Sequence, residues 1–76
     1  MINFKTQFKL YSLSANKRNE ITTWCQESFG KKLPTGYAKW DHYANSGISS
    51  ESKLIIIDYF IFYDDLAAFA FKLQWL

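Results

Sequence analysis

Few side chains in this sequence are equipped for chemistry, and the two most reactive types occur once each, Cys25 and His42. A nucleophilic mechanism would pair them, the imidazole activating the thiol. Cys25, however, falls with Ile21, Trp24 and Phe29 at helical spacing, where a cysteine ordinarily serves as a small apolar core residue. His42 shares a face with Trp40 in an alternating segment, which favours a half-buried, hydrogen-bonded histidine over a general base. One Cys and one His do not furnish the three or four ligands of a metal site. Asp64 and Asp65 could form a carboxylate pair, but a helix N-terminus already accounts for negative charge there. No Gly-rich phosphate loop is present. The chain is read as non-enzymatic, with no catalytic residue, metal or cofactor.

Binding chemistry is better represented. Fifteen of the 76 residues are aromatic, and several alternate with lysines. Lys5, Lys9, Tyr11, Tyr37, Lys39 and Tyr43 fall on one side of their segments. Asp58 suggests that even-numbered residues of its segment also face water, which would expose Ile56, Phe60 and Phe62. Tyr37, Lys39, Tyr43, Phe60 and Phe62 are therefore the candidate partner-binding residues. Aromatics interleaved with lysines suit a single-stranded nucleic-acid platform. Against that, the net charge is only +2, and Asp41 and Asp58 would place negative charge on the same surface. Exposed Tyr and Phe with little charge fit a protein interface better.

Length and composition set the frame for these candidates. Seventy-six residues make one small domain, spanning 1–76, with a modest core. A hydrophobic fraction of 49 % excludes intrinsic disorder, and a single cysteine excludes a disulfide scaffold. The longest apolar run, Leu54 to Ile57, is far short of the roughly 20 residues that span a bilayer. No signal peptide is visible, because Ile2 to Leu10 alternates rather than running apolar.

The elements that must position the candidates follow from periodicity. Ile2 to Ser12 alternates, with Ile2, Phe4, Phe8 and Leu10 inward and Asn3, Lys5, Gln7 and Lys9 outward. Ser14 and Asn16 can cap a helix over residues 15–29, which Gly30 ends. Leu33-Pro34-Thr35-Gly36 is a turn by composition. Tyr37 to Ala44 alternates again, with Ala38, Trp40, His42 and Ala44 inward. Asn45 to Ser52 is expected to be a polar, flexible connection between antiparallel strands. Lys53 to Tyr63 is β-branched and aromatic, hence a strand. From Asp64 to Leu76, Leu66, Phe69, Ala70 and Leu73 share a helical face, while Phe69, Phe71, Leu73 and Trp75 alternate as in a strand. Helix is favoured by the Leu-Ala-Ala run.

The order β-α-β-β-α predicts an α+β domain, a three-stranded antiparallel sheet with two helices on one face. It is the ferredoxin-like pattern lacking its last strand. Right-handed crossover places the third strand between the first and second. The first-strand edge from Phe4 to Leu10 would then be unpaired and, like the open sheet face, available to another copy of the chain.

Trp24-Cys25-Gln26-Glu27-Ser28-Phe29-Gly30 has the form W-C-x-E-x-F-G. Phe62-Tyr63-Asp64 with Ala68, Phe71, Leu73 and Trp75 has the form F-x-D-x-x-x-A-x-x-F-x-L-x-W. With Trp40 between them, these phrases resemble a family of short tailed-bacteriophage proteins, mostly of unknown function, over residues 20–76. Leu76 stands where a glycine often follows the tryptophan, and the loop before Asp64 lacks the usual proline. The resemblance implies phage origin, a soluble accessory role in the host cytoplasm and no catalytic residue. The expectation is a small phage protein that binds a protein, either a host factor or itself. The alternatives are a single-stranded nucleic-acid module and a minor virion component.

Overall fold

Two alternating segments and one run of β-branched and aromatic residues build the sheet, and two helices, one before and one after the β-hairpin, cover one face of it. The computed structural model describes residues 5–31 and 38–76. Of the positions read above, Met1 to Phe4, Lys32, the Leu33–Gly36 turn and Tyr37 lie outside them. The elements are β1 (Thr6–Tyr11), α1 (Ala15–Phe29), β2 (Trp40–Ile48), β3 (Leu54–Phe62) and α2 (Asp65–Trp75). The sheet is antiparallel throughout, in the order β1-β3-β2. The chain is thus an α+β domain with the expected element order and a central third strand. Among the described residues no helix is long and apolar enough to cross a membrane.

Both helices pack on the face formed by even-numbered strand residues. Ile21 and Cys25 of α1 meet Trp40, Phe60 and Phe62 of the sheet and Ala67, Ala68 and Phe71 of α2 in one core. Phe71 is its hub, with ring centroids 5.3 Å from Phe8, 5.1 Å from Phe60 and 4.9 Å from Phe62. Ala67 and Ala68, having almost no side chain, let α2 settle close to the strands. Caps hold both helix starts. The Ser14 hydroxyl accepts from the Lys17 amide at 3.1 Å, and the Asp64 carboxylate accepts from the Ala67 amide at 2.9 Å.

Two features differ from the sequence reading, and the structure adds a third, the direction of α2. Asn45 to Ile48 continue β2 instead of forming a loose connection, pairing with Ile57 to Leu54. Polar composition suggested a loop, but the β-branched run opposite supplies a rigid template. Gly47 fits because the Ile57 side chain lies across it, 2.8 Å from where a Cβ would stand. Next, Asp58 does not face water: it is fully buried on the helix side, and Phe60 and Phe62 are buried with it. Finally, α2 is a helix, but it turns Ala67, Ala68 and Phe71 inward. Leu66, Phe69 and Leu73 point to solvent.

Gly30 ends α1 with its amide donating to the Gln26 carbonyl at 2.9 Å, and its own carbonyl accepts from the Trp40 indole at 2.7 Å. Its backbone sits at φ 84°, ψ −167°, a region essentially reserved for glycine. Among the described residues an added methyl group would meet nothing within 4 Å, so the cost read from them is conformational. Gly30→Ala should therefore destabilise the fold by about 1–3 kcal/mol, read from urea denaturation. Unchanged stability would show that the helix stop does not depend on this conformation.

Candidate functional site

Arg18 occupies the same helical stripe as Ile21 and Cys25, which carries a cation toward the sheet. Its guanidinium grips Asp58 with two bonds, Nε to Oδ2 at 2.7 Å and Nη2 to Oδ1 at 2.9 Å. From β2, His42 Nε2 lies 2.7 Å from the same Oδ2. Burial of Asp58 opposes its ionisation. The hydrogen bonds and positive charge of Arg18 and the bond to His42 outweigh that cost and hold the carboxyl below its ordinary range. Asp58 in turn raises the Arg18 pKa, chiefly through their hydrogen bond. The three groups tie α1, β3 and β2 together beneath a cleft of about 440 Å³.

Arg18, Asn19, Thr22, Gln26, Trp40 and His42 line that cleft. Its polar groups are largely committed to the protein. Arg18 serves Asp58, Trp40 serves Gly30, and the Thr22 hydroxyl bonds to the carbonyls of Arg18 and Asn19 at 3.0 and 3.1 Å. Cys25 lies in the core with no exposed surface, and burial pushes its thiol up to about 12, the opposite of an activated nucleophile. Among the described residues no three His, Cys, Asp or Glu side chains are grouped to hold a metal. The Arg18–Asp58–His42 network is therefore best understood as a structural clamp.

The opposite, helix-free face of the sheet carries the odd-numbered residues. A row crosses all three strands: Lys9 pairs with Tyr59, which pairs with Tyr43. The two tyrosine rings stack at 4.7 Å, and Lys9 Nζ lies 5.8 Å from the Tyr59 centroid. Of the predicted site residues, Tyr43 is on this face and Lys39 is exposed immediately before β2. Phe60 and Phe62 are removed from it by the parity correction and belong to the core. Ile57 and Tyr59 take their place.

The most exposed apolar groups lie elsewhere. Leu66, Phe69, Leu73 and Leu76 follow one stripe along the outside of α2 and are 61–74 % exposed. At the far end of the β2–β3 hairpin, Ile48 and Leu54 pair with each other at 76 % and 77 % exposure. The α2 stripe was visible in the sequence as a shared helical face; its direction was not. Asp58 also had a signal, because Arg18 at helical spacing with Ile21 and Cys25 is carried toward the sheet, where a carboxylate can pair with it. A second cleft, about 410 Å³, runs between α1 and α2 past Glu20, Trp24, Glu27 and Trp75. The Trp75 indole nitrogen is buried and has no hydrogen-bond partner among the described residues. No protein-family model, curated protein or solved structure matches the chain.

Because the folded-state pKa of Asp58 is depressed, its ionisation adds stability above the ordinary carboxyl range, and that contribution is lost as pH falls through the lower folded value. Asp58→Asn should cost about 2–3 kcal/mol at pH 7, less than the ~3–5 kcal/mol of a fully buried broken pair because Arg18 can still reach water. The variant should also flatten the acid limb of stability against pH. A parallel limb in wild type and variant would remove the clamp from the account of stability. Cys25 should resist a thiol reagent under native conditions and react on unfolding; fast native labelling would contradict its burial.

Proposed function

We propose that the chain is a small non-enzymatic accessory protein of tailed-bacteriophage type, acting in the host cytoplasm by binding another protein, either a host factor or its own copy. The phage type and cytoplasmic setting come from the resemblance alone; one observation carries the protein-binding part of the reading. Among the described residues, ten large apolar side chains are more than a third exposed, against nine buried hydrophobic residues that form the interior. Single exposed apolar residues are commonplace, but a contiguous stripe such as that on α2 is the mark of a surface that another protein covers. Charge is sparse in that stripe, as at interface centres.

Single-stranded nucleic acid is the second reading, favoured by the Lys9–Tyr59–Tyr43 row on the open sheet face. Stacking a base requires a free ring face. Tyr59 has Tyr43 against it and Lys9 over it, which leaves the outer side of Tyr43 as the available platform. The platform is small, and Asp41 shares its face. Protein binding is the better supported of the two.

The test is affinity purification of the tagged chain from expressing bacterial cells that also carry an untagged copy, with nuclease treatment before elution. A protein retained in stoichiometric amount after nuclease is expected. Recovery of nucleic acid with no retained protein would replace the first reading by the second. Recovery of neither would sink both.

A further inference from the structure

The outward residues of α2 are spaced three, four and three apart: Leu66, Phe69, Leu73 and, directly after the helix, Leu76. That is the a-d-a-d pattern of a helix-pairing seam, whose 3.5-residue period lets two helices lie side by side with knobs in holes. A helix that buries one stripe against its own sheet needs only the inward set Ala67, Ala68, Phe71 and Trp75. The second stripe contributes nothing to the domain core. Its four members are exposed by 74, 61, 72 and 61 %.

We propose that this seam pairs α2 with α2 of a second copy, antiparallel, across a two-fold axis. The inference rests on the protein-binding reading above and names the partner. Geometry supplies the first reason, since a symmetric contact requires a patch complementary to itself, which an a/d seam is. Charge supplies the second. Asp64 and Asp65 lie at the start of α2 and Lys72 in its last turn. Antiparallel pairing sets the acidic end of each helix beside the basic end of the other and opposes the two helix dipoles. Area supplies the third. At on the order of 120 Å² per side chain, the four remove roughly 500 Å² per copy and about 1,000 Å² per pair, the size at which specific interfaces begin. A contact at the low end of the interface size range fits a weak, reversible dimer.

Sedimentation equilibrium of the purified chain over a micromolar concentration series tests the pairing, with Phe69→Glu and Leu73→Glu as separate variants. Both positions are exposed in the monomer, so circular dichroism and the urea midpoint should stay close to wild type. Wild type should run as a concentration-dependent dimer, and each variant should weaken dimerisation at least about 30-fold. A dimer undisturbed by both substitutions would overturn the seam as the contact. A wild-type chain monomeric throughout the series would overturn self-pairing, and the purification experiment then separates the two readings. If a different protein is retained by wild type and lost from Phe69→Glu, protein binding stands without the homodimer; if no protein is retained, it falls as well.

Discussion

A buried carboxylate on the central strand fixes which way this protein is folded. Asp58 has no exposed surface and is tolerated there because Arg18 and His42 reach it from α1 and β2. A strand with apolar residues on both faces can be turned over by a one-residue slip at little hydrophobic cost. Turning β3 over would carry Asp58 away from both partners and leave Arg18 aimed at an apolar core. The ion cluster therefore selects between two registers that hydrophobicity alone barely distinguishes. Asp58, Phe60 and Phe62 go under the helices together, while Leu54 and Ile56, on the same side of the strand, stay exposed.

Once that face is chosen, the aromatic core completes itself around Phe71. The phenyl ring of Phe71 meets Phe8, Trp24, Phe60 and Phe62, drawing on β1, α1 and β3 as well as its own helix. Stacked and tilted contacts of this kind add to simple area burial. A chain this short has little other interior. Its small size also explains why so much apolar surface stays outside: the core has one layer, and α2 carries two apolar stripes but can bury only one of them in it.

The sheet ends are treated differently from one another. β1 and β2 are both edges, because β3 occupies the centre. On β2 the Asp41 carboxylate accepts from the His42 amide at 2.8 Å, occupying a backbone donor that could otherwise join another strand. Beyond Ser12, whose amide donates to Ile56 at 2.9 Å, β1 no longer accompanies the hairpin. Ile48 and Leu54 are thus carried past the helices, where no described residue covers them.

Element order, both helix caps, the Gly30 stop and the inward set of α1 were legible in the sequence, because each depends on residues close together in the chain. The same local rules placed β3 in the centre through the handedness of its crossover. What they could not supply was the direction of segments apolar on both sides. Lys53 to Tyr63 and Asp64 to Leu76 each offer two apolar faces, and local propensity weighs them equally. Asp58, taken alone, reads as a residue for water. Only when the fold brings Arg18 from 40 positions away does burial become its lower-energy choice. The candidate surface shifted for the same reason. Phe60 and Phe62 left the open face for the core, and the stripe of Leu66, Phe69 and Leu73 came to the outside because Ala67, Ala68 and Phe71 face the sheet.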